Sequence, residues 1–255
     1  MIFNKKYRKY FLLESKLKNN PRFTDCHVKV DGLDLYIPDS LSAIHMYREI
    51  FIDRIYDFNS LGNEPYILDL GSNIGLSVLF FKCLYPNSNI TAFEADPNIF
   101  KYLKKNLYEN GFNDVNLINK AVWYENTTLN FCSDGADGGH ISSEGNDKLI
   151  CVETVDITEH LKDKQVDFLK IDIEGAEEFV IPACQKYLMN VRNLFVEYHS
   201  KVGQKQCLSE LLKIIEDAGF RVHIHSAVCS PSPFVDLRVN SGFDLQLNIF
   251  GWREK

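Results

Sequence analysis

Between residues 66 and 198 the chain alternates short apolar runs with segments of helical periodicity, and this alternation constrains the fold more than any other feature. The apolar runs are five to eight residues long, the length of a strand that is buried on both faces of a sheet. Strands of this kind, separated by helices, are typical of a parallel sheet covered by helices. The sequence therefore predicts an α/β fold.

Seven strands and four main helices follow from the pattern. We predict strands over residues 66–70, 89–93, 115–122, 166–173, 193–198, 220–225 and 245–250. We predict helices over residues 74–85, 97–109, 176–188 and 204–218. The helix over residues 97–109 has clear ends. Proline, here Pro97, is favourable in the first turn of a helix, and glycine, here Gly111, is favourable just after the last turn. The sheet is expected to be mostly parallel, with helices on both faces.

A length of 255 residues suits one domain with an additional segment. We place the main domain over residues 61–255 and an N-terminal extension over residues 1–60. The extension is rich in aromatic residues and is expected to hold helices and a hairpin over residues 28–37. Two long connections are candidate lids: residues 133–148, with four glycines in sixteen positions, and residues 226–242.

The composition excludes several classes of protein. With 45% hydrophobic and 25% charged residues, the chain matches soluble globular proteins rather than disordered, collagen-like or membrane-spanning ones. Its 28 basic and 35 acidic side chains give a net charge of −7. This balance argues against nucleic acid as a partner, because phosphate binding leaves a basic surface. A small or uncharged substrate fits better.

The cysteines and the apolar runs indicate a cytoplasmic protein. The seven cysteines are never closer than nineteen residues, so we expect reduced thiols rather than a metal pair or a disulfide framework. No apolar stretch reaches the length of a membrane helix. The basic cluster of Lys5, Lys6, Arg8 and Lys9 is typical of a solvated helix face, with weak contact to an anionic membrane surface as the alternative. The sequence does not specify an oligomeric state.

The first strand runs directly into DLGSNIG at residues 69–75, which reads as a strand end, a tight turn and a helix start. A dinucleotide-binding turn has a second glycine that lets the backbone approach a pyrophosphate, and Asn73 occupies that position here. The turn therefore suits a single small anion, such as an amino-acid carboxylate on free amides. A tight turn without a ligand is the alternative. The candidate cofactor-binding residues are Asp69, Gly71, Ser72, Asn73 and Gly75.

The second strand ends in FEAD at residues 93–96, which places Glu94 nineteen residues after Gly75. An acid at the carboxyl end of the neighbouring strand is where a ribose diol is bound in folds of this type. Asp96 directly precedes Pro97 and is better explained as the cap of the following helix. Glu94 is therefore the predicted ribose ligand, and Ala95 beside it is a candidate cofactor contact.

Ionisable side chains alternate along the fourth and fifth predicted strands. Lys170, Asp172 and Glu174 would share one strand face, and Glu197 and His199 would share one face of the next strand. Charges on a covered sheet face are costly unless they are paired or used in function. We expect these groups to converge with the glycine turn at the carboxyl edge of the sheet. The alternative is a structural ion-pair ladder of Lys170 with Asp172 or Glu197.

Together, five motifs resemble the FkbM family of S-adenosylmethionine-dependent methyltransferases. They are DLGSNIG, FEAD, GGH at residues 138–140, KIDIEGAE at residues 170–177 and VEYH at residues 196–199. The resemblance covers residues 65–200 and implies a Rossmann-like class I methyltransferase fold with S-adenosylmethionine as the cofactor. One departure is Ala95, where the family more often has proline; Glu94 is retained.

The resemblance also implies O-methylation of a hydroxyl group on a sugar, a glycan or a glycosylated natural product. The methionine end of the cofactor is expected along residues 71–75, and its adenine near the end of the third strand, beside Lys120 and Ala121. The implied partner is a small-molecule or glycan acceptor.

Removal of the hydroxyl proton needs a base or a Lewis acid, and two alternatives stay open. The first candidate base is His199 with Glu197 beside it, followed by His140 on the glycine-rich connection; Asp172 and Glu174 are further catalytic candidates. In the second alternative Asp172, Glu197 and His199 bind Mg²⁺ or a similar ion that lowers the pKa of the acceptor hydroxyl.

Two other functions compete with methyl transfer. A non-catalytic scaffold that binds adenosylmethionine or another nucleotide needs the glycine turn but not the charges on the fourth and fifth strands. An NAD-dependent oxidoreductase conflicts with Asn73 in the turn. The charged strands therefore favour an enzyme.

Overall fold

The computed structural model describes residues 5–133, 135, 139–141, 149–228 and 230–253. Its strands are, in chain order, β1 (Cys26–Val30), β2 (Leu33–Ile37), β3 (Tyr66–Leu70), β4 (Asn89–Phe93), β5 (Asn116–Ile118), β6 (Ala121–Trp123), β7 (Thr128–Cys132), β8 (His140–Ile141), β9 (Leu149–Asp156), β10 (Val166–Ile171), β11 (Val191–Lys201), β12 (Arg221–Val228) and β13 (Phe243–Trp252). Its α-helices are α1 (Lys5–Leu17), α2 (Ser40–Tyr47), α3 (Leu76–Leu84), α4 (Pro97–Glu109), α5 (Thr158–Leu161), α6 (Glu177–Cys184) and α7 (Leu208–Asp217). A π-helix over Arg48–Asp53 follows α2, and a 3₁₀-helix over Gln185–Asn190 follows α6.

The central sheet has seven strands in the order β12-β13-β11-β10-β3-β4-β5. The pairs among β11, β10, β3, β4 and β5 are parallel, whereas β13 is antiparallel to both β11 and β12. The predicted α/β fold with a mostly parallel seven-stranded sheet is confirmed. The central strands are continuous apolar runs because both of their faces are covered.

The side chains of β3 show how the two faces are covered. Ile67 packs in the apolar cluster that contains side chains of α3 and α4. Leu68 and Leu70 pack in the cluster on the other face, with side chains of α6 and α7. All three side chains are fully buried, and burial of each stabilises the fold by about 1.5–3 kcal/mol. None of the described helices combines the length and apolarity needed to cross a bilayer.

The predicted third strand over residues 115–122 is wrong, because the run divides into β5 and β6. β5 completes the central sheet, whereas β6 pairs with β9 in a second, four-stranded sheet of order β6-β9-β7-β8. The break falls at Asn119, whose Nδ2 donates to the carbonyl oxygens of Glu94 at 2.8 Å and Ala95 at 3.3 Å. These tertiary bonds redirect the chain toward the end of β4.

The N-terminal elements pack on α4. The predicted hairpin is confirmed as the antiparallel pair β1–β2. Asn106 accepts from the backbone amide of Tyr36 at 2.7 Å and donates to its carbonyl at 3.1 Å. Asn110, one turn further along α4, makes the matching pair with the backbone of Asp34 at 2.9 and 2.8 Å. Two asparagines of α4 therefore form hydrogen bonds with backbone groups at the free edge of β2. The division of the chain near residue 60 stays a prediction.

The two predicted lids differ in how much of each is described. Residues 134, 136–138 and 142–148 of the first lie outside the described residues. β8, which belongs to this lid, pairs antiparallel with β7, which directly precedes it. The first part of the second predicted lid is the end of β12. Asn240 and Ser241, near its other end, line the main cavity of the protein.

Candidate active site

A cavity of about 870 Å³ opens at the carboxyl ends of β3, β4, β10 and β11. Gly71, Glu94 and Asp172 each follow directly after one of these strands, and all three line the cavity. Glu197 of β11 and Glu49 of the π-helix line it as well. Because parallel strands end at the same edge of a sheet, residues far apart in sequence meet here. The volume is that of a small-molecule site.

Gly71 stands where two strand ends come into contact. It has a φ of +80°, and a Cβ at this position would lie 1.7 Å from the carbonyl oxygen of Asp172. The backbones are this close because the amide of Asp172 donates to the carbonyl of Leu70 at 3.1 Å. Both the left-handed conformation and the close approach require glycine. Asn73 also has a positive φ, +48°, which asparagine tolerates better than most residues.

The amides of the turn over residues 71–75 all have acceptors within the chain. The acceptors are Phe93 O for Gly71 and Ser72, Glu94 Oε2 for Asn73, Asn73 Oδ1 for Ile74 and Ser72 O for Gly75. The expectation that the amides of residues 71–75 are free is therefore wrong, whereas the placement of the cofactor's amino-acid end at this turn stays a prediction. The turn instead fixes the position of Glu94, since Asn73 N lies 2.9 Å from its carboxylate.

Asp69 and Lys170 form a buried charged pair beneath the turn. Lys170 Nζ lies 3.4 Å from Asp69 Oδ1 and 3.1 Å from Asp172 Oδ2, and donates to the carbonyl of Gly71 at 2.8 Å. Asp69 also accepts from the hydroxyl of Ser77. Burial lowers the pKa of Lys170, but the carboxylates of Asp172 and Asp69 outweigh it and raise that pKa overall. Lys170 is therefore a fixed cation that joins the end of β10 to the turn.

Glu94 is a buried carboxylate held by two backbone amides. Its oxygens accept from Asn73 N at 2.9 Å and from Asp96 N at 2.8 Å. Burial raises the pKa of Glu94 to about 7, although the two amide hydrogen bonds act in the opposite direction. Asp96 caps α4, with Asn98 N donating to it at 2.7 Å, as predicted. Glu94 is thus oriented toward the cavity and close to its point of half-ionisation at neutral pH.

The residues predicted near adenine form a mostly apolar wall of the cavity. Ala95, Lys120 and Ala121 line it together with Phe131. Ala121 and Phe131 belong to a small buried cluster against which Ala95 packs. Lys120 Nζ pairs with Glu153 at 2.9 Å, and both side chains are exposed. An apolar slot with a charged rim suits a flat aromatic ring.

The charged residues after β10 are arranged differently from the prediction. The strand ends at Ile171, so Asp172 and Glu174 lie in the following turn and do not share a strand face with Lys170. Glu174 has a φ of +53°, which only a tight turn imposes. Lys170, Asp172 and Glu174 nevertheless all line the cavity. The ion pair of Lys170 with Asp172, which the structural alternative predicts, is present as well.

His199 is buried among three carboxylates. Its Nδ1 lies 3.2 Å from Glu177 Oε1, and its Nε2 lies 3.5 Å from Glu174 and 3.7 Å from Glu197. Burial lowers the pKa of His199, but Glu177, Glu174 and Glu197 outweigh it and raise that pKa well above its ordinary value. His199 therefore bridges Glu177 and Glu174 of the segment after β10 and Glu197 of β11. Its role as the first base stays a prediction.

Glu177 is a site residue that the sequence analysis missed. Besides its contact with His199, its carboxylate accepts from the amides of Ile173 at 3.1 Å and Gly175 at 3.0 Å. It therefore ties the turn after β10 to His199 of β11. Its position as the last residue of the KIDIEGAE motif was the sequence signal that could have identified it as a site residue.

Glu49 and Tyr56 are further missed residues of the cavity wall. Burial, followed by the nearby Asp172, raises the pKa of Glu49 to about 7. Burial and Asp172 also raise the pKa of Glu197 to about 8, against the opposing effect of His199. Glu49 lies in a π-helix, a local irregularity that is frequent at functional sites. Two carboxylates that ionise near neutral pH therefore face the same cavity.

His140 is the last of the predicted catalytic residues. It pairs with Cys132 across β7 and β8, and its ring centroid lies 6.4 Å from that of Phe243. The ring of His199 lies 5.0 Å from the same phenylalanine. The neighbouring Gly139 lines the cavity, whereas His140 is not among its described lining residues.

One group of side chains among the described residues could hold a metal ion. Single ligand atoms of Asp172, Glu174 and His199 lie within 4.8 Å of one another. The predicted set differs from it, since Glu197 was expected in place of Glu174. The Nε2 of His199 is buried without a hydrogen-bond partner, which fits a nitrogen that could coordinate a cation. Two carboxylates and one imidazole suit a divalent ion.

Comparisons with known proteins agree on one family. The model of the methyltransferase FkbM domain matches residues 69–222. The chain is 27% identical over 251 residues to Methyltransferase sdnD of Sordaria araneosa, covering 81% of this chain and 93% of that protein. It is 25% identical over 234 residues to the 31-O-demethyl-FK506 methyltransferase FkbM of Streptomyces tacrolimicus, covering 74% and 88% of the two chains.

A solved structure supports the fold. The crystal structure of Methyltransferase FkbM from Methylobacillus flagellatus KT superimposes with a TM-score of 0.54 at 11% identity. The match covers 83% of this chain and 50% of that one. At this level of identity the likeness concerns the architecture alone, which is the Rossmann-like arrangement described above.

Proposed function

This chain belongs to the FkbM family and is an S-adenosylmethionine-dependent methyltransferase, and on that premise we propose that it methylates a hydroxyl of a sugar, a glycan or a glycosylated natural product. The observation that carries the proposal is the row of carboxylates in the cavity wall, beside the glycine turn. Methyl transfer to a hydroxyl requires a proton acceptor next to the donor, and these carboxylates can supply it. The relative from Streptomyces tacrolimicus is named for O-methylation, which supports oxygen as the acceptor atom.

The residues that would hold the cofactor form what we call the donor half of the cavity: Gly71, Ser72 and Asn73 of the turn, with Glu94, Ala95, Lys120 and Ala121. The carboxylate of Glu94 would accept hydrogen bonds from the ribose diol, and the apolar wall would hold the adenine. The turn would face the methionine end. Because the amides of residues 71–75 already have acceptors, other groups would hold the carboxylate of the cofactor.

The acceptor occupies the acceptor half, formed by Glu49, Asp172, Glu174 and Glu197 with His199 behind them. Bound adenosylmethionine would supply an electrophilic methyl group, and the acceptor half would hold the acceptor oxygen beside it. The hydroxyl proton passes to the ionised form of Glu197, which is a stronger base than an ordinary glutamate because its pKa is raised to about 8. His199 positions Glu197 and Glu174, and Lys170 positions Asp172.

A metal ion is an alternative means of activating the acceptor. Asp172, Glu174 and His199 are the residues that would hold a divalent ion, which would lower the pKa of an acceptor hydroxyl. In that case Glu197 remains beside the acceptor as the group that receives the proton.

A mass measurement tests the function directly. The protein is incubated with adenosylmethionine and a panel of sugar-bearing acceptors, and each acceptor is examined for the mass shift of one methyl group. Formation of adenosylhomocysteine without an acceptor serves as the background. Tight adenosylhomocysteine binding with no methylated product across the panel would favour the scaffold function. Activity that EDTA leaves intact excludes the metal, and activity that EDTA removes and Mg²⁺ restores requires it.

A further inference from the structure

We propose that His223 and His225 form a chelating site for a divalent transition-metal ion, with Cu²⁺ as the best-suited metal. The two residues alternate along β12, which is the edge strand of the central sheet, so their side chains project from the same face. Both side chains are exposed, and their Nε2 atoms are 2.9 Å apart. Neither residue lines the active-site cavity, so the site is independent of methyl transfer.

The distance between the nitrogens favours a particular coordination geometry. Imidazole nitrogens bind such metals at about 2.0–2.1 Å, and two of them at right angles are therefore about 2.9 Å apart. A tetrahedral ion such as Zn²⁺ would hold them at about 3.3 Å. The separation of 2.9 Å, which is that of the hydrogen bond between the two rings, is compatible with two adjacent positions of a square-planar or octahedral ion. Cu²⁺ and Ni²⁺ prefer these geometries, and Cu²⁺ binds nitrogen ligands more tightly.

The two rings are held in place before any ion binds. Their planes are 79° apart, with centroids 4.7 Å from each other. Both rings lie against Phe250 on the neighbouring strand, His225 at 5.1 Å and His223 at 6.3 Å between centroids. The antiparallel register fixes this arrangement, since His223 pairs with Phe250 and His225 with Asn248. Chelation therefore costs little side-chain entropy.

The lone pairs of the two Nε2 atoms also favour the binding of a cation. At most one proton fits between two imidazole nitrogens 2.9 Å apart, so at least one of them directs a lone pair at the other. A single exposed hydrogen bond of this kind contributes little to stability. A metal ion engages both lone pairs at once.

The pair supplies two ligands and leaves the other positions to solvent. Among the described residues, only Asp172, Glu174 and His199 form a cluster of three metal-ligating side chains, and the β12 pair is separate from it. The bound ion is therefore exchangeable and reachable by a ligand from solution. The two sites also differ in nitrogen count, because the active-site cluster contains one imidazole and the β12 pair contains two.

Electron paramagnetic resonance with Cu²⁺ tests the proposal on the full chain. We expect one equivalent of Cu²⁺ with hyperfine coupling to two imidazole nitrogens, and this signal differs from that of an ion at Asp172, Glu174 and His199, which supply one imidazole. His223→Ala and His225→Ala should each remove one of the two nitrogens and weaken binding by roughly tenfold or more. His27→Ala is the matched control, because His27 is an exposed strand histidine paired with Asp34 rather than with another imidazole. It should leave Cu²⁺ affinity within about twofold.

Other outcomes overturn the proposal. A two-nitrogen signal that survives in either variant would place the ion elsewhere, and so would an equal loss in the His27→Ala control. Tighter binding of Zn²⁺ than of Cu²⁺ would contradict the geometry inferred from the nitrogen distance. Thermal denaturation and adenosylhomocysteine titration of the same samples report whether each variant is folded, and His223→Asn and His225→Asn repeat the test with polar replacements.

Discussion

The donor half and the acceptor half of the cavity are held together by different forces. In the donor half, backbone hydrogen bonds and close steric contact fix the turn, and Glu94 is anchored by two amides. In the acceptor half, Glu49 and Glu197 face the cavity with pKa values of about 7 and 8, raised chiefly by burial. The donor half is therefore shaped before its ligand arrives, whereas the acceptor half contains carboxyl groups whose ionisation is disfavoured by burial. Substitutions should affect fold and cofactor binding in the first half, and turnover in the second.

The largest effect is expected at Gly71. In Gly71→Ala the new Cβ would overlap the carbonyl oxygen of Asp172 at 1.7 Å, and φ is +80°. Backbone strain and overpacking each cost about 1–3 kcal/mol, so the variant should lose several kcal/mol of stability and its adenosylhomocysteine binding. Denaturant unfolding and calorimetric titration measure the two losses.

Gly62→Ala provides the control for this substitution. No atom lies within 4 Å of a Cβ at Gly62, so its stability should change by less than about 0.5 kcal/mol. If Gly71→Ala were as stable as this control, the donor half would not depend on steric contact between the ends of β3 and β10.

The acceptor half is tested by Glu197→Gln. Loss of a general base costs about 10²- to 10⁴-fold in rate, while adenosylhomocysteine affinity should stay within a few-fold. Single-turnover methyl transfer and calorimetric titration separate the two quantities. Glu210→Gln, at an exposed carboxylate of α7, should change neither.

The contrary outcome would support the structural alternative. If Glu197→Gln stayed active but lost stability, the carboxylates and His199 would be an ion-pair network that holds β10 and β11 together. The same assay on Asp172→Asn and His199→Ala shows whether the effect belongs to the whole acceptor half.

The two halves also differ in how far the sequence predicts them. The donor half follows from local motifs, because the turn and the acid after β4 lie within residues 69–96 and each motif has its own spacing rule. The acceptor half combines distant segments. Glu49 reaches the cavity from the N-terminal π-helix, and its sequence context of REIFID carries no signal for that position.

Errors in the strand prediction have the same origin. The apolar pattern over residues 115–122 predicts one continuous strand. The pattern gives no sign of the hydrogen bond from Asn119 to the carbonyl oxygen of Glu94, after β4, where the strand breaks. Likewise, the alternation of charges predicts a strand face for Glu174. In the structure the chain turns after Ile171, Glu174 has a positive φ, and the amide of Ile173 donates to the carboxylate of Glu177. Periodicity predicts elements, but tertiary hydrogen bonds decide where they end.

A smaller effect is expected at Glu94. Glu94→Ala removes charge-assisted hydrogen bonds to the ribose worth about 1.5–3 kcal/mol, which lowers adenosylhomocysteine affinity by roughly ten- to a hundredfold. Glu109→Ala, at an exposed glutamate of α4, is the control and should bind normally. Unchanged binding in a folded Glu94→Ala protein would contradict the placement of the ribose.

The smallest effect is the part of the pH dependence that Glu94 contributes, which is the part that Glu94→Gln removes. Burial raises the pKa of Glu94 to about 7, and the ribose diol donates to the ionised form. Adenosylhomocysteine affinity should therefore rise by roughly tenfold from pH 6 to pH 8, and Glu94→Gln should abolish this rise. The contribution of the same group to stability has the opposite sign. Because the folded protein holds this proton more tightly than the unfolded chain does, the contribution is present at low pH and is lost as the pH rises through about 7. Parallel titration and denaturation of the Glu94→Gln variant and the unaltered protein should show the two slopes in opposite directions, and slopes of equal sign would place the titrating group outside the donor half.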